Sequence, residues 1–208
     1  MVCYDTIRTL LAVATSEGMK IKRFDVKTAF LYGELEEAYL EQPEGFDDGS
    51  GRVCQLKRSL YGLKQAPRCW NKRFIGFMEK ARLKNSTADP CLFYRTHGDT
   101  FFYIAIYVDE GLVVGNNDEE IQVFLRLLQE EFEVTIGLLE NFLGIQNKCQ
   151  SDGSIFVNQE AYKTRYCKSL TWLKQKVCRL LPVVKKVITT KMSVARFHIR
   201  RQWAVSCI

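Results

Sequence analysis

Apolar positions along the first 160 residues switch between helical and strand spacing. Ile7, Leu10, Leu11 and Ala14 recur at helical intervals within Thr6–Glu17, and Gly18 supplies the stop. Lys20–Val26 reads as a short strand carrying Asp25 at its end, and Thr28–Leu35 brings Phe30 and Leu31 to a turn at Gly33. Gln42-Pro43-Glu44-Gly45 and Asp47-Asp48-Gly49-Ser50-Gly51 are turn chemistry, which predicts a hairpin between YLEQ and VCQL. Pro67 suits a first helical turn, and Trp70, Phe74, Phe77, Met78 and Ala81 then form an apolar stripe toward Leu83. Two strands, CLFYR and FFYIAIYV, flank the turn His97-Gly98-Asp99, and LVVG continues as a further arm. Asn117 or Asp118 is placed to cap a helix with Glu119 and Glu120 in its first turn. Its buried face is Ile121, Phe124, Leu125, Leu128 and Phe132. Phe142-Leu143-Gly144-Ile145 and Ser154-Ile155-Phe156-Val157 read as another strand pair around Asp152-Gly153. Helices alternating with antiparallel hairpins give an α+β class.

Composition supports a real core, at 47% hydrophobic residues over 208 positions, enough for one domain with an appended segment. Charge divides the chain. Residues 161–208 hold 12 Lys/Arg and no Asp/Glu, whereas residues 1–160 hold 18 basic and 24 acidic side chains. The formal +6 is therefore a property of the tail. Eight cysteines are scattered without CxxC spacing and the histidines are only His97 and His198, a pattern that favours free thiols over zinc or disulfides. No secretory signal is evident, and no run approaches the roughly 20 apolar residues of a membrane helix, so the expectation is an intracellular, cytoplasmic or nuclear protein without membrane contact.

Chemistry concentrates at Tyr107-Val108-Asp109-Glu110-Gly111, between the apolar runs FFYIAI and LVVG. Two adjacent carboxylates at a hairpin tip suit a divalent ion, and Asp25 could join them if the two elements share a sheet. Mg²⁺ takes oxygen ligands, often one or two carboxylates plus substrate phosphates. A two-ion site serves in-line phosphoryl or nucleotidyl transfer. Taken alone, an Asp-Glu pair at a turn is better explained as a solvated turn.

Longer blocks bear on that choice: Asp25-Val26-Lys27-Thr28-Ala29-Phe30-Leu31-Tyr32-Gly33, Glu41-Gln42-Pro43-Glu44-Gly45-Phe46, SLYGLKQAPR (59–68) with Trp70, and Tyr107-Val108-Asp109. In order and spacing they resemble the palm of Ty1/copia-type retrotransposon reverse transcriptases, and the likeness runs on through Phe142-Leu143-Gly144 to about Tyr162. The resemblance implies a polymerase palm with part of the fingers over residues 1–162, an antiparallel sheet packed on helices. It implies RNA-directed DNA polymerase activity on an RNA or DNA template-primer and a deoxynucleoside triphosphate. Two Mg²⁺ ions, with Mn²⁺ as the alternative, would be held by Asp25, Asp109 and Glu110. Val26 resembles the residue whose backbone helps hold the first ligand, and Phe30 the aromatic beneath the incoming sugar. Gln65 and Arg68 resemble the lining of the nucleotide pocket, at a helix N-terminus that favours anions. The lesser alternatives are a core aromatic for Phe30 and a solvated first-turn residue for Arg68. Trp70 and Phe74 read as core, and Tyr61 fits either role.

Three departures qualify the resemblance. The family has Asp where this chain has Glu110; the extra methylene moves the carboxylate by about 1.5 Å, one C–C bond. A misplacement of ~1 Å near reacting groups can cost about 10²-fold, so polymerase activity is expected to be weak or absent. The alternative is a catalytically dead, transposon-derived domain that at most binds nucleic acid. The family's upstream fingers segment would precede Met1, which suggests an N-terminally truncated copy. Residues 163–208 depart from the pattern as a basic tail, read either as an arm for nucleic acid or, preferably, as a frameshifted, poorly packing segment.

Overall fold

The structure, a computed structural model, describes residues 1–150, 154–160, 162, 164–165 and 186–188. Helix α1 (Tyr4–Ser16) precedes strand β1 (Lys20–Val26) and a single 3₁₀ turn (Ala29–Tyr32). The hairpin β2 (Tyr39–Glu41) and β3 (Val53–Gln55) stands as a separate two-stranded ribbon, its six residues all exposed. Helix α2 (Ala66–Lys80) then leads to β4 (Lys84–Asn85), β5 (Leu92–His97), β6 (Thr100–Tyr107) and β7 (Glu110–Gly115). After α3 (Asp118–Glu131) come β8 (Val134–Gly137), β9 (Asn141–Phe142), β10 (Ile145–Cys149), β11 (Ile155–Asn158) and β12 (Lys186–Ile188).

Six strands form one antiparallel sheet in the order β4-β5-β6-β7-β1-β8. Strand β1, early in the chain, is thus inserted between two later strands. In antiparallel pairs opposed residues share a face, so Phe24, paired with Gly111, lies with Phe93, Phe102 and Ile104 on one side. Phe74 of α2 meets Phe24 and Phe93, and Phe124 of α3 meets Phe102, so both helices cover this face. Arg23, Asp25, Glu110 and Leu112 occupy the opposite face. The α2 stripe is buried as expected at Trp70, Phe74, Phe77 and Met78. Phe132 receives the edges or faces of Tyr32, Trp70, Phe74 and Phe77 at 5.1–6.2 Å between centroids, and the Arg73 guanidinium lies over its ring.

Caps follow the sequence logic at α3, where the Asn117 Oδ1 accepts from the N–H groups of Glu119 and Glu120. The cap of α1 comes from far along the chain. Asp89, nearly fully buried, accepts from the Cys3 N–H (2.9 Å) and the Thr6 hydroxyl (2.8 Å), and from the Cys91 N–H (2.9 Å). Burial by itself would raise the Asp89 pKa, but these donors hold it below the ordinary carboxylate range.

One expectation needs correction. Phe142–Ile145 is not a single strand but a tight turn joining β9 to β10. Leu143 (φ 52°) and Gly144 (φ 74°) both take left-handed conformations there, and it is Ile145–Cys149 that pairs with β11. The apolar run hid the turn, because Leu143 is an unusual residue at positive φ. Asp152-Gly153 lies outside the described residues. So does most of the basic tail, apart from Thr164, Arg165 and Lys186–Ile188, the last of which pair with β11. Cys3, Cys54, Cys69 and Cys91 are free thiols. Among the described residues no helix is long and apolar enough to cross a membrane.

Candidate active site

Register brings the carboxylates together. Asp25 sits directly across from Glu110, and Glu110 is also opposite Tyr107, so Val108 and Asp109 alone form the two-residue loop between β6 and β7. The pair is therefore not one tip: Asp109 occupies the turn, while Glu110 begins a strand. Such loops need positive φ in their first central positions, and here Val108 adopts it at 60°. For a β-branched residue that conformation costs of order 1–3 kcal/mol and persists only where surrounding structure fixes it. Two hydrogen bonds do so. The Trp70 indole N–H donates to the Val108 carbonyl (2.6 Å), and the Val26 N–H donates to the Asp109 carbonyl (2.8 Å).

The three carboxylates differ in surroundings. The Asp25 side chain is 39% exposed, against 18% for Glu110. Glu110 is occupied at both oxygens. Its Oε1 meets Arg23 Nε at 3.2 Å and its Oε2 accepts from the Leu143 N–H at 3.1 Å. Arg23 also lies 3.8 Å from Asp25 Oδ2. Burial pushes the Glu110 carboxyl above the usual carboxylate range; the Leu143 N–H and Arg23 oppose this, and the charges of Asp25 and Asp109 add to it. Among the described residues no three His, Cys, Asp or Glu side chains stand close enough to hold a metal ion together. The Val26–Asp109 backbone bond and the Asp25–Glu110 pairing bring the backbones of Asp25 and Asp109 to the same end of the sheet.

The remaining sequence-predicted residues lie at the end of β1, in the 3₁₀ turn and at the start of α2. Val26 is buried, so its contribution is its backbone N–H. Phe30 is half-buried in the 3₁₀ turn, and its ring packs 4.8 Å from that of Tyr61, which is exposed. Gln65 is the residue before α2, and its side chain makes no cap there; Arg68, in the first helical turn, is exposed. The Ser59 hydroxyl donates to the Phe30 carbonyl, and the Ser59 N–H to the Gly33 carbonyl (2.8 Å), which fixes the Phe30 turn against the segment leading to α2. Sequence reasoning missed Arg23 and Leu143. Arg23 carried a signal in principle, since it lies two residues before Asp25 and so on the same face of the strand.

Comparison with known proteins agrees with this architecture. Residues 1–185 match the family model described as reverse transcriptase (RNA-dependent DNA polymerase), a match that runs past Tyr162 into the basic segment. The chain is 37% identical over 166 residues to the retrovirus-related Pol polyprotein from transposon TNT 1-94 of Nicotiana tabacum, covering 77% of this chain and 12% of that polyprotein. It is 36% identical over 161 residues to the corresponding polyprotein from transposon RE2 of Arabidopsis thaliana, covering 76% of this chain and 11% of the relative. Against the transposon Ty1-DR4 Gag-Pol polyprotein of Saccharomyces cerevisiae the identity is 33% over 134 residues, covering 62% and 8%. The chain thus spans a small part of the length of these relatives, and over that part it belongs to the reverse transcriptase family of Ty1/copia-type transposon Pol polyproteins.

Proposed function

We propose that the chain forms the palm and part of the fingers of a copia-type reverse transcriptase, built for templated addition of deoxynucleotides to a primer 3′-hydroxyl and weak in that reaction. The observation that carries this reading is the meeting of Asp25 and Asp109 at one sheet end, through the β1–β7 register and the Val26–Asp109 bond. Asp25 and Asp109 would hold Mg²⁺, or Mn²⁺ in its place. Bound there, the metal supplies charge neutralisation at the phosphates and a more acidic attacking hydroxyl. Glu110 is the third carboxylate of the set, but its oxygens already face Arg23 and the Leu143 N–H, so an ion would compete with these partners for it, and weak activity is the expected consequence. The Phe30–Tyr61 pair offers an aromatic surface beside the site for the sugar of the incoming nucleotide. Gln65 and Arg68, at the start of α2, present N–H and guanidinium donors suited to its phosphates.

Positioning and electrostatics carry most of the catalysis in phosphoryl transfer, so the test is geometric. Primer extension on RNA and DNA templates, with Mg²⁺ and with Mn²⁺, is compared between the natural chain and Glu110→Asp. The expected result is slow extension by the natural chain and a gain of about 10²-fold in the Asp variant. Equal rates would refute the account of Glu110. Absence of extension by both, together with no Mn²⁺ binding, would refute the polymerase reading and favour a domain that at most binds nucleic acid.

A further inference from the structure

The Arg23–Glu110 pair reaches beyond the carboxylates. Arg23 Nη1 donates to the Asn141 carbonyl (3.0 Å) while its Nε faces Glu110 Oε1 (3.2 Å), and Glu110 Oε2 accepts from the Leu143 N–H (3.1 Å). Two neighbouring points of the β9–β10 hairpin, one in β9 and one in its turn, are therefore tied to the main sheet by one cation and one anion. The turn needs such holding, because Leu143 stands at φ 52°. Length matters as much as charge. An aspartate at 110 would be shorter by one C–C bond, about 1.5 Å, and the bond to Leu143 would lie well outside hydrogen-bonding range.

We infer that Arg23 and Glu110 form a clamp fastening the β9–β10 hairpin to the sheet end that carries Asp25 and Asp109, and that Glu110 is a positioning residue there, not a metal ligand. The second half of this inference rests on the polymerase reading; the first half does not. A carboxylate with one oxygen facing a guanidinium and the other accepting from a backbone N–H must share its charge with that fixed cation, and turning it toward an ion would break the charge-assisted contacts of the clamp. The chain's extra methylene is then the means by which the hairpin is held.

The test separates the two halves. Backbone hydrogen exchange at Leu143 is measured in the full chain and in Glu110→Asp, which keeps the charge and shortens the reach. Exchange at least about tenfold faster in the variant is expected from loss of a charge-assisted bond, and unchanged exchange would overturn the clamp. Arg23→Gln is expected to speed the same exchange and Arg23→Lys to recover part of the protection; no change in Arg23→Gln would also overturn it. Mn²⁺ binding is followed by electron paramagnetic resonance. Glu110→Gln should stay within about threefold of the natural chain, the size of a screened charge effect, whereas Asp109→Asn should weaken binding at least about tenfold. Arg23→Gln, which removes a competing cation beside Asp25, should bind Mn²⁺ more tightly. Equal weakening in Glu110→Gln and Asp109→Asn would make Glu110 a ligand and overturn the positioning role, as would weaker binding in Arg23→Gln. Unchanged binding in both Asp25→Asn and Asp109→Asn would overturn the polymerase reading, and with it the contrast between ligand and positioning residue, while the Leu143 exchange decides the clamp on its own.

Discussion

Alanine at position 111 would add a methyl group where there is no room for one. A Cβ built on Gly111 would lie 2.2 Å from Phe24 Cζ and 2.5 and 2.9 Å from its two Cε atoms. Carbon atoms pack best at about 3.5–4.0 Å, so the ring would have to withdraw by roughly 1.3 Å. It cannot do so alone, because Phe24 is fully buried and its ring stacks against Phe74 at 6.5 Å between centroids. Overpacking usually costs 1–3 kcal/mol, and the immobility of this ring puts the cost near the upper end, about 3 kcal/mol. That is a large share of the 5–15 kcal/mol of a typical domain.

The alternative response is parting of β1 from β7, and this links packing to function. Phe24 and Gly111 are the pair next to Asp25 and Glu110 in the ladder. A shift of ~1 Å between these strands would move Asp25 relative to the Asp109 turn, enough for about a 10²-fold loss in extension. Urea unfolding of Gly111→Ala, alone and with Phe24→Leu, checks the mechanism. The smaller side chain should relieve the clash, giving a coupling of at least about 1 kcal/mol. A cost for Gly111→Ala below about 0.5 kcal/mol, within the range of ordinary surface changes, or an equal cost in both backgrounds, would refute the reasoning.

Trp70→Phe keeps an aromatic ring among Phe74 and Phe132 but leaves the Val108 carbonyl without its donor; unfolding should show a loss of about 1–3 kcal/mol, and Mn²⁺ binding should weaken with it. Val108→Gly relieves the left-handed strain at φ 60° but adds chain entropy of roughly 0.5–1 kcal/mol, so stability measured by urea should be unchanged or slightly higher while extension falls. Asp89→Asn tests the cap of α1. Because the folded pKa of Asp89 is depressed, its contribution is present above the unfolded value of about 3.9 and is lost as pH falls through the folded value. The stability gap between the natural chain and this variant, measured by urea titration, should therefore be wide at pH 7 and narrow steadily below about pH 4; a gap independent of pH would contradict it.

Helices were the most legible part of the chain, because a period near 3.6 survives any tertiary context that buries one face. The stripe from Trp70 to Met78 and the Asn117 cap were both readable for that reason. Strand pairing was readable where turn residues punctuated it, as between β2 and β3. It failed at Phe142–Ile145, where an apolar residue rather than a glycine or asparagine begins the left-handed turn. The long-range cap by Asp89 had no local signal at all, since the residues it satisfies lie at the other end of the sequence.

The carboxylates illustrate a finer limit. Motifs located Asp25, Asp109 and Glu110, but a motif treats adjacent residues as one feature, and a strand does not. Moving one residue along a strand turns a side chain to the other face. Whether Glu110 lay in the loop or in β7 therefore decided its neighbours, and only the pairing with Tyr107 and Asp25 resolves that. Once Glu110 is in the strand, Arg23 becomes its diagonal neighbour and Leu143 comes within its reach. Compared with the family motif, an added methylene reads as damage to a metal site. With the register known, the same methylene reads as reach. A carboxylate's role is fixed by where its oxygens end and what they meet there, which charge and residue type leave undetermined. The two readings look to different measurements on Glu110→Asp: repair of a metal site shows as faster primer extension, and loss of reach shows as faster exchange at Leu143.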